Sequence, residues 1–331
     1  MLQKSLSLTP DTLMYDLEDS VAAHLKPAAR TTLAAFLSPS AAPSPSSSSA
    51  FPSRPRPEIA VRINAPSTPH ALADLTDLLT HGSHNIDALV VPKVDSAADL
   101  TFVTDVLRQL LPARHSPHPP AGSKPPIRIL ALVESARAVT DLRAICAASP
   151  YLAGLVFAAE DFALSLSLTR TPSLTEFLFA RQSLVTHAAA AGLPSIIDLV
   201  HTSYSRLPPT LPADATAPNP EWLADAPTRS LVAECARGRE MGFTGKQCIH
   251  PSQVALVQAA FSPSEREVEW AVRVVVADVK AAAEGRGAWT LDGKMIDAPV
   301  VGRARGIVER AERCGIDVTA VRERWAAEVP Q

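Results

Sequence analysis

Short apolar runs recur along the chain, each separated from the next by a longer segment of helical periodicity. The runs are 12–17 (TLMYDL), 59–63 (IAVRI), 86–91 (IDALVV), 127–133 (IRILALV), 152–157 (LAGLVF), 195–200 (SIIDLV) and 246–249 (KQCI). Strands with one wet face would alternate apolar and polar residues. Near-continuous apolar runs of this length instead predict strands buried on both faces of a parallel sheet. Between them, residues 71–79, 97–111, 136–147, 173–191 and 229–241 place apolar residues at helical spacing. Alternating strand and helix predicts an α/β fold with right-handed crossovers.

Seven strands fit either a (β/α)8 barrel short of one strand or an open, doubly wound sheet. The polar residues favour the barrel. Glu18 and Asp19, Arg62 and Asn64, Lys93, Glu134, Asp161 and His250 all follow or end an apolar run. In a barrel such residues converge on the mouth at the C-terminal strand ends. An open sheet gathers ligand groups at one switch point, usually beside a glycine-rich first turn. Neither GxGxxG nor GxxxxGK[ST] occurs.

Residues 262–331 break the repeat. Ser262–Glu265 (SPSE) reads as a capping box with proline at the first helical position. Val268, Val272, Val275 and Val279 then predict a helix ending near Gly285. Residues 288–299 (AWTLDGKMIDAP) predict a hairpin turning at Asp292-Gly293, followed by one or two helices. The expected organisation is a barrel over 1–261 and an extension over 262–331 that covers the site or reaches a neighbouring subunit. Two insertions interrupt the barrel: a Ser/Pro-rich stretch at 38–57, expected to be disordered, and a Pro-rich loop at 207–227.

Composition narrows the function class. Of 331 residues 47% are hydrophobic and 20% charged, enough for a sizeable core and against global disorder. A net charge of −3 argues against a nucleic-acid partner or a polybasic membrane contact. No apolar run approaches the roughly 18 residues that span a bilayer. Cys146, Cys235, Cys248 and Cys314 form no CxxC pair and read as free thiols of a reducing compartment. MLQKSLSLTP lacks a secretory h-region, so an intracellular location, mitochondrial or cytoplasmic, is expected.

Glu134 and Asp161 are the foremost candidates for chemistry. Each lies just past an apolar run, and two carboxylates at one mouth suit Mg²⁺, a hard cation satisfied by one or two carboxylates plus water and substrate oxygens. Strand-end acids also serve as helix caps or solvent-facing groups, and spacing leaves both roles open. Arg62 sits inside an apolar strand, where a guanidinium needs an anion. That anion is either a substrate carboxylate held bidentately or a structural partner, Glu18 or Asp19. Lys93 in VPKV poses the same question less sharply. Ser135 adjoins Glu134, but no GxSxG elbow frames it, which argues against a serine hydrolase.

Taken in order, MYDLEDSVAAHLKPAAR, VRINA, VVPKVDS, ALVESARAV, LVFAAEDFALSL, GFTGKQCIHPSQV and DGKMIDAP resemble the motif series of the citrate lyase β-subunit-like proteins. These belong to the HpcH/HpaI aldolase group, which includes malyl-CoA and citramalyl-CoA lyases. The resemblance runs from about residue 1 to residue 315. It implies a (β/α)8 TIM barrel carrying Mg²⁺ on Glu134 of VES and Asp161 of AED. It implies a substrate-carboxylate contact at Arg62, a supporting acidic pair in Glu18 and Asp19, and Lys93 at the substrate without Schiff-base chemistry. Lys26 and Arg30 either meet CoA phosphates or, the reading the residues favour, stand as exposed helix charges. It also implies a homotrimer or homohexamer in which Asp297 of MID acts as an acid–base group in the next subunit's site. The family opens with a strand of the type RSxLFVPG and a helix, so on this resemblance the seven strands are the second to eighth and the first is absent. The implied activity is reversible carbon–carbon cleavage of a 3-hydroxyacyl-CoA thioester, acting on acyl-CoA and 2-oxo acid. The alternatives are an Mg²⁺ aldolase acting on 2-oxo acids or on citryl groups carried by an acyl carrier protein, and an inactive member with an assembly role.

Overall fold

The computed structural model describes residues 2–38, 56–204 and 225–331. The chain forms two compact units, the second beginning at Gln258. The Ser/Pro-rich stretch at 38–57 and the loop at 207–227 lie, apart from their edges, outside the described residues.

The first unit is built on one parallel sheet. Its strands are β1 (Thr12–Asp16), β2 (Glu58–Arg62), β3 (Ala88–Val91), β4 (Arg128–Val133), β5 (Leu152–Phe157), β6 (Ser195–Asp198) and β7 (Gly245–Lys246). Their spatial order is their chain order, β1 to β7, and every neighbouring pair is parallel. A doubly wound sheet reverses its order at a switch point. This sheet never does, as the barrel expectation required. Among the described residues β1 pairs on one side only, and it is the least buried of the first three strands, with Met14 exposed. Several strands are shorter than their apolar runs, although β5 coincides with its run. Ile86 and Asp87 precede β3, and 247–249 fall outside β7.

All four residues of β3 are buried, which is why its run shows no alternation. Ala60, Ala88, Val90, Leu132 and Val156 pack into one cluster inside the sheet. Side chains two residues apart on a strand share a face. Arg62 therefore follows Ala60, and Glu134 follows Leu132, onto the rim of that cluster. Gly154 of β5 lies opposite Ser195. A Cβ there would come within 2.5 Å of the Ser195 carbonyl oxygen, so only glycine fits.

The helices cover the predicted segments, with differences in two of them. The segment at 136–147 breaks at Asp141 into Ala136–Thr140 and Leu142–Ala147. Residues 173–191 yield a single 3₁₀ turn, then the helix Leu178–Ala190. Helices over Lys26–Leu37, Ala159–Leu166 and Pro251–Phe261 had no counterpart among the predicted segments.

In the second unit, Glu265–Ala283 is capped by Ser264, whose side chain and Glu267 satisfy each other's backbone N–H groups. The capping box thus lies two residues later than SPSE suggested, and Pro263 precedes it. Trp289–Leu291 and Lys294–Ile296 pair antiparallel through Asp292-Gly293, both at positive φ, 49° and 73°. That is the geometry the Asp-Gly pair favours. Helices Ala298–Arg313 and Val318–Arg324 complete the unit. Its core joins Val268, Val272, Trp289, Leu291, Ile296 and Val308.

Candidate active site

Two clusters stand at the C-terminal ends of β1–β5. The first forms because Asp16 ends β1 directly opposite Arg62, the last residue of β2. Register places the pair on one face, and the guanidinium grips the carboxylate with a fork: Nε to Oδ1 at 2.7 Å and Nη2 to Oδ2 at 2.6 Å. The remaining Nη1 lies 3.0 Å from Glu18 Oε2 and 3.4 Å from Asp19 Oδ2. Arg62 thus answers the sequence question with a partner that the motifs had not singled out. Its bidentate face is spent on Asp16, and one edge faces the acidic pair. The signal was present in the sequence as a polar residue ending an apolar run. Only the register shows that Asp16 and Arg62 meet.

Asp16 also accepts hydrogen bonds from the backbone N–H groups of Glu18 and Ser20, which fixes the loop after β1. Burial pushes the Asp16 carboxyl up. The Arg62 fork and these N–H donors outweigh burial and bring it to about 2. Glu18 has the opposite balance: burial and the adjacent Asp19 push its carboxyl to about 7, against the pull of Arg62 and Lys93. Lys26 ties the loop from below, donating to the carbonyls of Leu17 and Glu18 and to Asn64 Oδ1 at 3.1, 2.9 and 2.5 Å. Arg30 pairs with Asp74 and Asp77. Both cations expected to reach CoA phosphates have partners within the chain, and they act here as braces.

The second cluster joins β3, β4 and β5. Glu134 follows β4 and is buried. Asp161 lies not at the strand end, as its run suggested, but in the first turn of the helix Ala159–Leu166, where a carboxylate complements the helix dipole. Between them stands the ammonium of Lys93, 2.7 Å from Glu134 Oε2 and 2.6 Å from Asp161 Oδ1. Burial pushes the Glu134 carboxyl up, against the pull of Lys93. Burial disfavours the Lys93 ammonium too, but the two carboxylates outweigh it and raise its pKa. Among the described residues Glu134 draws its donors from Lys93 alone. Two convergent carboxylates around one cation, one of them buried and short of donors, form a half-shell of hard oxygen ligands. A hard divalent cation fits it, with its other positions left to water or substrate. Among the described residues no group of three or more His, Cys, Asp or Glu is placed to hold a metal.

Asp297 lies in the second unit. Its carboxylate caps Ala298–Arg313, accepting from the Val300 N–H at 3.2 Å. A third polar group escaped sequence reading altogether. The buried Glu234 is approached by His201 Nδ1 at 3.0 Å, Lys246 Nζ at 3.0 Å and Arg170 Nη2 at 3.2 Å. These residues come from four separate segments and share no motif. All four cysteines are free, as expected. No helix among the described residues is long and apolar enough to cross a membrane.

A barrel-type parallel sheet with a carboxylate pair and an arginine–acid cluster at its C-terminal strand ends is the architecture of a TIM-barrel lyase, and the comparisons agree. Residues 1–212 match the family model described as HpcH/HpaI aldolase/citrate lyase. Residues 196–316 match that of the C–C bond lyases of the TIM-barrel fold. The chain belongs to the HpcH/HpaI aldolase/citrate lyase family and is a carbon–carbon lyase. It is 33% identical to citrate lyase subunit beta of Haemophilus influenzae over 94% of this chain and 92% of the relative. It is 30% identical to the mitochondrial citramalyl-CoA lyase of Homo sapiens over 94% and 81%. Among solved structures it resembles the protein CitE of Mycobacterium tuberculosis in complex with magnesium, acetoacetate and coenzyme A. The TM-score is 0.61 and the identity 28%, over 91% of this chain and 90% of that one.

Proposed function

We propose that this lyase is Mg²⁺-dependent and cleaves or forms a 3-hydroxyacyl-CoA thioester, such as malyl-CoA or citramalyl-CoA, with acetyl-CoA and a 2-oxo acid on the other side of the reaction. The observation that carries the reading is the convergence of Glu134 and Asp161 on a single cation position beside the Arg62–Glu18 cluster. The magnesium and coenzyme A of the mycobacterial structure support it.

Mg²⁺ held by Glu134 and Asp161 would supply Lewis-acid polarisation of the substrate oxygens. Arg62 orients the 2-oxo acid carboxylate through Nη1, the edge that Asp16 leaves ungripped and that faces Glu18 and Asp19. Asp16 keeps that guanidinium fixed. Glu18, poised near neutrality, is the group in this cluster suited to take up the hydroxyl proton when the carbon–carbon bond breaks. Lys93 adds positive charge where substrate oxygens would sit. Asp297 is proposed to exchange a proton with the enolate in the site of a neighbouring subunit, within a homotrimer or homohexamer.

The test is product release from malyl-CoA and citramalyl-CoA in Mg²⁺ and in EDTA. Cleavage that depends on Mg²⁺, and that falls about a hundredfold or more in Glu134→Gln and Asp161→Asn, supports the reading. Absence of 2-oxo acid from either thioester refutes the substrate class. A second reading, action on citryl groups carried by an acyl carrier protein, draws on the match to citrate lyase subunit beta. It predicts oxaloacetate release from a citryl-loaded carrier and none from the free thioesters.

A further inference from the structure

The carboxylates read as metal ligands are already neutralised by this chain's own Lys93, whose Nζ stands within 2.7 Å of both. Mg²⁺ sits about 2.0–2.1 Å from its oxygen ligands. An ion held by these two carboxylates would meet the ammonium already between them, so the two would exclude each other by overlap and by like charge.

The backbone is built to put the ammonium there. Strand alternation would send Lys93 to the face of Val91, away from the inner cluster that includes Val90. Lys93 instead takes a left-handed conformation, φ 51°, which lysine rarely adopts. Strain of this kind persists only where the surroundings enforce it, and it gathers at functional sites. The side chain also has a way out, being about one-third exposed. Glu18 offers an alternative acceptor: its carboxylate is buried, and its Oε2 is met by a single cation, Arg62 Nη1 at 3.0 Å.

We propose that Lys93 is a displaceable internal counter-ion: it holds Glu134 and Asp161 together before the metal arrives and leaves toward Glu18 when the metal binds. This rests on the reading of Glu134 and Asp161 as Mg²⁺ ligands. The metal-free site would otherwise spread under repulsion between its carboxylates. With the lysine in place it stays assembled, at the cost of a weaker apparent affinity for the metal, because a competitor must be expelled. The departing ammonium then joins the cluster where substrate oxygens would lie.

Calorimetric titration of Mg²⁺ into the full chain, Lys93→Met and Glu134→Gln tests this. Lys93→Met should bind Mg²⁺ about tenfold or more tightly than the wild type, and Glu134→Gln should lose binding. The gain should survive 1 M KCl, where the Debye length is about 3 Å and through-space repulsion is screened. Should Lys93→Met fold poorly, the wild type supplies a second readout. The chain has seven lysines, so ¹³C-labelled lysine ε-carbons give a simple NMR spectrum. One resonance, absent in the variant, should move on Mg²⁺ saturation. Equal or weaker binding by Lys93→Met, a gain abolished by salt, or a stationary Lys93 resonance at saturation overturns the displacement while leaving the metal site standing. No Mg²⁺ binding by either wild type or Lys93→Met overturns both.

Discussion

Asp198 and Arg181 form the most deeply buried ion pair among the described residues of the first unit. Asp198 ends β6 with 0% exposure, and Arg181 reaches it from the helix Leu178–Ala190 with 2%. The guanidinium grips the carboxylate through Nε at 3.0 Å and Nη2 at 2.6 Å, and it lies over the Phe243 ring at 5.4 Å. The pair is enclosed on the other side by the helix Ala226–Met241, where Gly238 leaves room: a Cβ there would stand 2.6 Å from Asp198 Oδ2. Removing one partner strands the other charge in the interior. Asp198→Ala should therefore cost about 3–5 kcal/mol, lowering the melting temperature by roughly 10 °C for a unit of this size. Arg181→Met alone should cost a similar amount. In the double variant neither charge is left unpaired, so its loss should fall well short of the sum of the two single losses, by about 2 kcal/mol or more. Urea melts followed by circular dichroism give all four corners of the cycle. A loss below about 1 kcal/mol for Asp198→Ala, or simple additivity in the double variant, would refute the argument that this pair is held by mutual neutralisation.

Other consequences are open to direct measurement. Gly154→Ala forces a methyl group against the Ser195 backbone and should destabilise the chain by about 2 kcal/mol or more; a neutral substitution would show that β5 and β6 can shift apart. Glu18 has its folded pKa raised to about 7 from an ordinary 4.5. It binds its proton more tightly in the folded state, so its contribution is full below pH 4.5 and is lost as pH rises through 7. On that sign the wild type should lose stability relative to Glu18→Gln as pH rises from 4.5 to 8, and a difference independent of pH would contradict it. Asp16, held down to about 2, works the other way. Its contribution is present above pH 4 and fades as pH falls through 2, so Asp16→Asn should melt lower than the wild type at pH 6 and converge with it in strong acid.

Much of the architecture was legible because burial writes itself into composition. β3 is covered on both faces, and its run ALVV is unbroken accordingly. The hairpin at Asp292-Gly293 was legible because its turn needs positive φ at both residues, and the Asp-Gly pair allows that. The polar residues closing each run likewise announced a mouth. Their partners could not be read, because a strand states its own periodicity and not its neighbour's register. The sequence offered Glu18 or Asp19 as mates for Arg62; both stand at its Nη1, and register added Asp16 as the bidentate partner. It offered Lys93 as a weaker analogue of Arg62; a left-handed backbone at one residue set it between Glu134 and Asp161 instead. Lys26 and Arg30 looked like free helix cations until the fold brought Asn64, Asp74 and Asp77 to them. Local preferences act over a few residues and were set by the amino-acid order alone. Ion pairs such as Arg62–Asp16 and Lys93–Asp161 join side chains 46 and 68 residues apart, and only the packed sheet brings them within reach.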